Sequence, residues 1–417
     1  LQHFNPIIEL NNAFQILKIA NYRNYQLGRF LFILGLQMQS VIISIYIYEI
    51  TKDALALGLV GLAEAVPFIL TALFSGNVAD LYNRKKIILL ATCGYLFCAF
   101  LFGLLIWFPL HDVSLIVLLM YCITFLTGIA RSFFAPAQAS LMAQIVPKTL
   151  YSQSANWGSI VWNSATVAGP ALGGLLYGLI GEKNSFVIVC ILCSTGVLLF
   201  STLQNISNPI RTNNESTLLR VKEGLSFVFH HQIMLSAMAM DMLAVLFGGA
   251  VALIPVFANE ILHVGKLEIG LMRAIPSVGA VLCSLWVAYH PIKKHAGKWF
   301  ITNVILFGVC MIGFALSQNF YLSLFWLLLS GAFDNISVLI RSVIYQIYAP
   351  DEMRGRVMAI NFIFVGSSNE IGSFESGFAA RFLGLVPSVL IGAGLNIGVC
   401  ISTIKLAPKL WKLHLKN

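Results

Sequence analysis

The chain reads as an all-α integral membrane protein, with twelve transmembrane helices in two pseudo-symmetric six-helix bundles, and three observations lead there. Of 417 residues, 58% are hydrophobic and only 10% are charged, whereas a soluble domain carries roughly a quarter of its residues charged. Apolar runs of membrane-spanning length recur along the chain with short polar connections between them. The second half of the sequence repeats landmarks of the first.

A run of about 20 mostly apolar residues, at 1.5 Å rise per residue, crosses the hydrocarbon. Twelve such runs occur, at 27–49, 57–79, 87–108, 114–136, 155–179, 184–203, 233–257, 267–289, 299–316, 321–346, 358–380 and 385–404. Before the first, FQILKIANYRNYQL mixes apolar and basic residues and is expected to lie along the membrane surface. A cleavable signal peptide is not expected, because the first run is too long for one and no small-residue cleavage site follows it. The longest connection, 204–232, divides the runs six and six, giving bundles over 1–203 and 233–417. Within it Leu218, Leu219, Val221, Leu225, Val228 and Phe229 recur at helical spacing, predicting an amphipathic surface helix.

Orientation follows from the basic residues. With both termini cytoplasmic, Arg84, Lys85, Lys86, Lys293, Lys294, Lys298, Arg354, Arg356 and the terminal lysines fall inside, and only Lys52, Lys183, Lys266 and Arg381 fall outside. The net charge of +9 is thereby assigned to a cytoplasmic membrane surface and calls for no nucleic-acid partner. All eight cysteines fall inside apolar runs; Cys190 and Cys193 form a CxxC without further ligands and read as small hydrophobes rather than a metal or disulfide site. HExxH, GxSxG, a phosphate-binding loop and an intramembrane histidine cluster are all missing from the sequence. An enzyme or a self-contained ATP pump is therefore not expected, nor any cofactor.

The repeat can be counted. A shift of 203 residues places Gly128, Pro147, Gly169 and Gly174 on Gly331, Pro350, Gly372 and Gly377. A shift of 209 places GLAEAVP (61–67) on GLMRAIP (270–276), and Arg84 and Lys85 on Lys293 and Lys294. Under these shifts Glu64 matches Arg273 and Arg131 matches Asp334, so two equivalent positions carry opposite charge in the two halves. Parallel six-helix repeats are an architecture of secondary transporters, with the substrate at the midplane between them.

Between the second and third runs stands SGNVADLYNRKK. Gly76, Ala79, Asp80, Arg84 and Lys85 resemble the GxLADRxGRK signature of the major facilitator superfamily, with Leu81 in place of Arg and Asn83 in place of Gly. Asn83 is expected to take the left-handed turn that the usual Gly supplies. The resemblance implies that Asp80 latches the cytoplasmic end of a helix in the other half, with Gly76, Arg84 and Lys85 of the signature; Asp241, eight residues into its run from the inside, and Arg356 join them as gating candidates. In the fifth run AGPALGG (168–174) resembles the superfamily's antiporter motif through Gly169, Pro170, Gly173 and Gly174, with Ala165 in place of its first Gly. Over nearly the whole length, including ARSFFAPAQASL (130–141) and GAFDNISVLIRS (331–342), the chain resembles the twelve-span bacterial exporter branch, whose members export siderophores such as enterobactin or drugs. The resemblance implies export of a small amphiphilic molecule across the inner membrane by alternating access, powered by the proton gradient and carried out by a monomer. An importer or lipid flippase of the same fold, or a non-transporting receptor, remains the alternative.

Ionisable groups inside the bilayer cost at least about 2.5 to 3.5 kcal/mol each, so they need partners or a purpose. A carboxylate in a low-dielectric site can exchange a proton near neutral pH, as antiport requires. Glu64, Asp334, Glu370 and Glu375 are the proton-coupling candidates. Asp334 and Arg341 share a helix face but lie about 10 Å apart along it, so each is expected to look elsewhere for a partner. Glu370 and Glu375 are about 140° apart around their helix and cannot serve one point. Arginines stay charged and suit ion pairs or an anionic cargo; Arg131, Arg273 and Arg341 join Gln37, Gln39, Asn163 and Asn369 as candidate cavity residues. Trp162 and Phe333 are further candidates for the lining.

Overall fold

The computed structural model describes residues 15–147, 150–204, 217–248, 250–290 and 294–413, and among the described residues it is helical with no strand. The first half contains α1 (Ala20–Thr51), α2 (Ala54–Leu81), α3 (Arg84–Trp107), α4 (Val113–Ile145) and α5 (Tyr151–Ser201). The surface helix α6 (Thr217–His230) follows. The second half contains α7 (Gln232–Gly248), α8 (Ile254–Glu260), α9 (Lys266–Tyr289), α10 (Ala296–Leu316), α11 (Phe320–Tyr348), α12 (Asp351–Leu383), α13 (Leu385–Leu406) and the short α14 (Pro408–Trp411). Ten stretches among the described residues are long and apolar enough to cross a membrane.

Polar residues at the connections start and stop these helices. Lys52 ends α1 in the left-handed region at φ 51°, and the Asp53 side chain then accepts the Leu55 N–H at 2.9 Å to open α2. Asp112 opens α4 in the same way through Ser114 N–H at 2.9 Å, and Asn319 opens α11 through Tyr321 and Leu322. Asn83 departs from expectation: its backbone is extended at φ −61°, and its side chain accepts from Lys86 N–H at 3.3 Å. Asn therefore replaces the signature's Gly by capping α3, which a Gly has no side chain to do.

Three expected boundaries also change. The surface lead-in shrinks to a single 3-10 turn, Gln15–Lys18, and α1 begins at Ala20, so Tyr22 and Tyr25 are buried in the first long helix. The run 233–257 is broken into α7, a 3-10 turn at Ala250–Leu253, and α8 with Pro255 in its first turn. The runs 155–179 and 184–203 join into the 51-residue α5, interrupted at Gly181 (φ 80°, ψ 171°), a conformation that only glycine adopts without strain.

Glycines set the closest helix approaches. A β-carbon on Gly128 of α4 would strike the Glu64 carbonyl and Pro67 of α2, and one on Gly331 of α11 would strike the Pro276 carbonyl of α9. These are the repeat-related pairs, so α4 meets α2 as α11 meets α9. Two further crossings join the halves: Gly174 of α5 meets Gly270 of α9 backbone to backbone, and Gly377 of α12 meets Gly58 of α2. Small residues at such crossings let backbones approach without a side chain between them. Large apolar side chains such as Leu90, Phe97 and Phe100 on α3 are exposed, as surfaces facing lipid tails are.

Candidate transport site

The two cross-half contacts converge toward one end of the molecule, where polar groups tie the halves again. Tyr48 of α1 donates to Glu260 of α8 at 2.6 Å. Lys266 of α9 reaches Glu49 of α1 at 2.9 Å and lies 4.4 Å from the Tyr177 ring, while Tyr177 donates to the same Glu49 at 2.6 Å. Arg381 of α12 pairs with Asp53. At the opposite end Lys85 donates to the Ser201 and Leu203 carbonyls at 2.7 and 2.6 Å, capping the end of α5 within its own half. The backbones of Gly76, Asp80 and Arg356 lie in α2 and α12, and their side chains are outside the described residues, as is the latch expected of Asp80. Arg84 is half-buried at the start of α3.

Below the tied end stands a charged cluster built from three helices. One nitrogen of Arg131, Nη1 on α4, donates to Glu64 of α2 at 2.7 Å and to Glu370 of α12 at 2.6 Å. The guanidinium also lies 5.2 Å from the Phe68 ring centre, so an aromatic face covers the cation. Gly128 makes this possible, since its missing side chain lets α4 approach the Glu64 backbone directly. Glu64 and Arg131 belong to the first half and Glu370 to the second, so the cluster is a charged bridge between them.

The equivalent pair in the second half is not formed. Arg273 of α9 turns across to the first half, where its Nη1 donates to the Ser40 carbonyl at 3.3 Å and the Ser44 hydroxyl at 3.1 Å, both on α1. Among the described residues the half-buried Asp334 carboxylate has no hydrogen bond or ion pair, and neither has Glu375. Arg341 and Asp241 pair with each other, each about 5% exposed. Both were expected elsewhere, Arg341 at the cargo cavity and Asp241 at a gate. The pair instead lies sealed within the second half, because two charges this deeply buried are stable only together.

The polar candidates are more scattered. Gln37 lies against Gly169, and Gln39 is 6% exposed with its Oε1 unbonded. Asn163 is half-buried on α5; Asn369 is exposed and donates to the Val365 carbonyl of its own helix at 2.9 Å. Gly173 lies against the Met38 backbone and the Pro170 carbonyl faces Gly270, so the AGPALGG stretch packs α5 against both α1 and α9. Trp162 is exposed, and Phe333 is half-buried. Arg29 reaches the Gly158 carbonyl at 3.4 Å. The cysteines are free, and no metal-ligating cluster occurs among the described residues. Sequence reasoning missed the ties at this end. Lys266 and Arg381 stood out there only as rare outside bases, although Glu49 and Asp53 flank the first connection.

A helical membrane protein whose halves meet through close glycine crossings around a charged intramembrane bridge belongs to the class of polytopic secondary transporters. The family model described as transmembrane secretion effector, of the major facilitator type, matches residues 11–413, and the chain belongs to that family; it is a transporter and not an enzyme. It is 22% identical over 380 residues to the staphyloferrin A transporter of Staphylococcus aureus, covering 90% of this chain and 93% of that one. It is 23% identical over 383 residues to the enterobactin exporter EntS of Citrobacter koseri, covering 90% and 89%. Its fold is similar to the crystal structure of a bacterial homologue of the iron transporter ferroportin in an inward-facing state, with a TM-score of 0.67 at 16% identity over 92% of this chain and 98% of that one.

Proposed function

We propose that the chain exports a small amphiphilic molecule, of siderophore or drug-like type, across a bacterial inner membrane in exchange for protons. It acts as a monomer of two rocking six-helix bundles, 1–203 and 233–417, joined by 204–232. Counting α5 twice, because Gly181 breaks it, and adding α12 brings the ten apolar stretches to twelve crossings. At 33 residues α12 is about 50 Å long. Its polar residues, among them Glu370, Asn369 and Glu375, lower its hydropathy. An even number of crossings puts both termini on one side, and the basic bias makes that side cytoplasmic. The end tied by Glu49–Lys266 and Asp53–Arg381 is then the outer end, and the conformation is inward-facing. Membrane lipids surround the chain, and the proton gradient is its energy source.

The observation that carries this reading is the Glu64–Arg131–Glu370 bridge. A charged link between halves holds the outer side closed only while Glu370 is ionised and paired. Opening outward separates Glu370 from Arg131, and a carboxylate left alone in a low-dielectric site takes a proton. Return to the inward state restores the pair and sends that proton to the cytoplasm. Cargo moves out on the opposite stroke.

Proteoliposomes with an imposed pH gradient test this, using a fluorescent amphiphile and a panel of metal-free siderophores as cargo. Transport should reverse with the gradient in the wild type and be lost in Glu370→Gln. Gradient-independent transport that survives Glu370→Gln leaves a facilitator and removes the coupling role of the bridge.

A further inference from the structure

Among the described residues, Arg273 is a cation inside the membrane with no carboxylate bonded to it. Its two hydrogen bonds go to a carbonyl and a hydroxyl, both neutral, and both use Nη1. Its repeat-related partner, Asp334, does not reach it, although Glu64 and Arg131 at the equivalent positions touch. Holding an arginine there without a counter-ion costs several kcal/mol unless another group completes it.

The direction of the bonds says which edge is spare. Nη1 is anchored to α1, which leaves the Nε–Nη2 edge, the edge that grips a carboxylate through two parallel N–H bonds. Among the described residues neither Nε nor Nη2 makes a hydrogen bond. The residue is half-buried, so this edge stands unpaired in a partly enclosed site. Ser40, beside it in the middle of α1, is exposed. An unpaired, oriented donor edge on a permanent cation, at the junction of α1 and α9, is a built half of an anion site.

We propose that the Nε–Nη2 edge of Arg273 binds an anionic group of the cargo, a carboxylate, while Ser40 and Ser44 hold the guanidinium in place from the other half. This rests on the transport reading and names the chemical class of what is carried.

The test is binding to the purified full chain in lipid nanodiscs, with dansylglycine and its methyl ester as probes that differ only in the charge of the acid. Wild type should bind the acid saturably and at least about tenfold more tightly than the ester, the size of one charge-assisted bond pair. Arg273→Gln should erase that preference, and Arg273→Lys should keep part of it. Thermal melts of each variant verify folding, and Ser44→Ala serves as a second variant expected to reduce the preference partially. Absence of saturable acid binding, equal affinity for acid and ester, or an acid preference that persists in Arg273→Gln overturns the proposal. If acid binding holds but no pH gradient drives transport, Arg273 remains the anion site and proton exchange falls. If gradient-driven transport of a neutral dye holds without acid preference, the reverse is true.

Discussion

The two halves share one helix scaffold and use its charged positions in opposite ways. In the first half Glu64 and Arg131 are paired at 2.7 Å and extend to Glu370 across the interface. In the second half the matching Arg273 and Asp334 are apart: Arg273 is bonded to α1, and among the described residues the Asp334 carboxylate has no partner. The backbones do not cause this, because Gly128 against Pro67 and Gly331 against Pro276 give the two helix pairs the same close approach. The difference lies in side chains. The second half has moved its structural ion pair to Arg341 and Asp241, where both are buried, and has left the repeat-related charges unpaired. One half is thus a closed bridge, and the other holds its two matching charges apart.

The largest effect is expected where the charge is sealed. Arg341→Leu leaves Asp241 buried without a cation and should cost about 3–5 kcal/mol of stability. Adding Asp241→Leu should recover most of that loss, since a well-packed apolar pair often equals a buried ion pair. Thermal unfolding in detergent measures both; a single variant as stable as wild type would show that the pair is not structural and would erase the contrast between the halves.

A smaller and more directional effect separates the two carboxylates on Arg131. Glu64→Gln keeps the cross-half bond to Glu370, whereas Glu370→Gln cuts it. Losing a charge-assisted bond is worth about 1.5–3 kcal/mol, enough to shift a two-state equilibrium by roughly tenfold or more toward outer opening. A cysteine introduced at Val60, on the outer part of α2, should label faster from outside in the Glu370 variant than in the Glu64 variant. Equal labelling would mean that Glu370 does not hold the outer side shut.

Much of this was legible beforehand, and the rest failed for identifiable reasons. Hydropathy marks runs, not joints, so it missed that the runs at 155–179 and 184–203 join into α5 and that the run at 233–257 breaks before Pro255. The repeat, counted on glycines, fell on the backbone crossings because glycine is what lets those helices touch. It also matched Glu64 with Arg273 and Arg131 with Asp334. Which of these pairs forms depends on rotamers and on a third helix, α12, which no shift along the sequence reveals. The separation of Arg341 from Asp334 followed from helix geometry alone, but its partner Asp241 lies a hundred residues away on α7. The ties between the halves were hidden for the same reason: Tyr48 and Glu260 stand 212 residues apart.

The smallest effect on stability sharpens the comparison most. Asp334 has no bond to lose, and a neutral amide is cheaper to hold in a low-dielectric interior than a carboxylate. Asp334→Asn should therefore melt within about 1 kcal/mol of wild type, or slightly above it. Arg131→Gln leaves Glu64 and Glu370 facing each other with no cation and should melt well below. If the open charges of the second half serve transport rather than folding, gradient-driven transport should fall in Asp334→Asn without any loss of stability. A variant that is both destabilised and inactive would instead place Asp334 in a structural pair formed in another conformation, with Arg273 as the cation in reach on the neighbouring α9. The comparison between the halves would then describe two stages of one switch, in which the second half pairs when the first half opens.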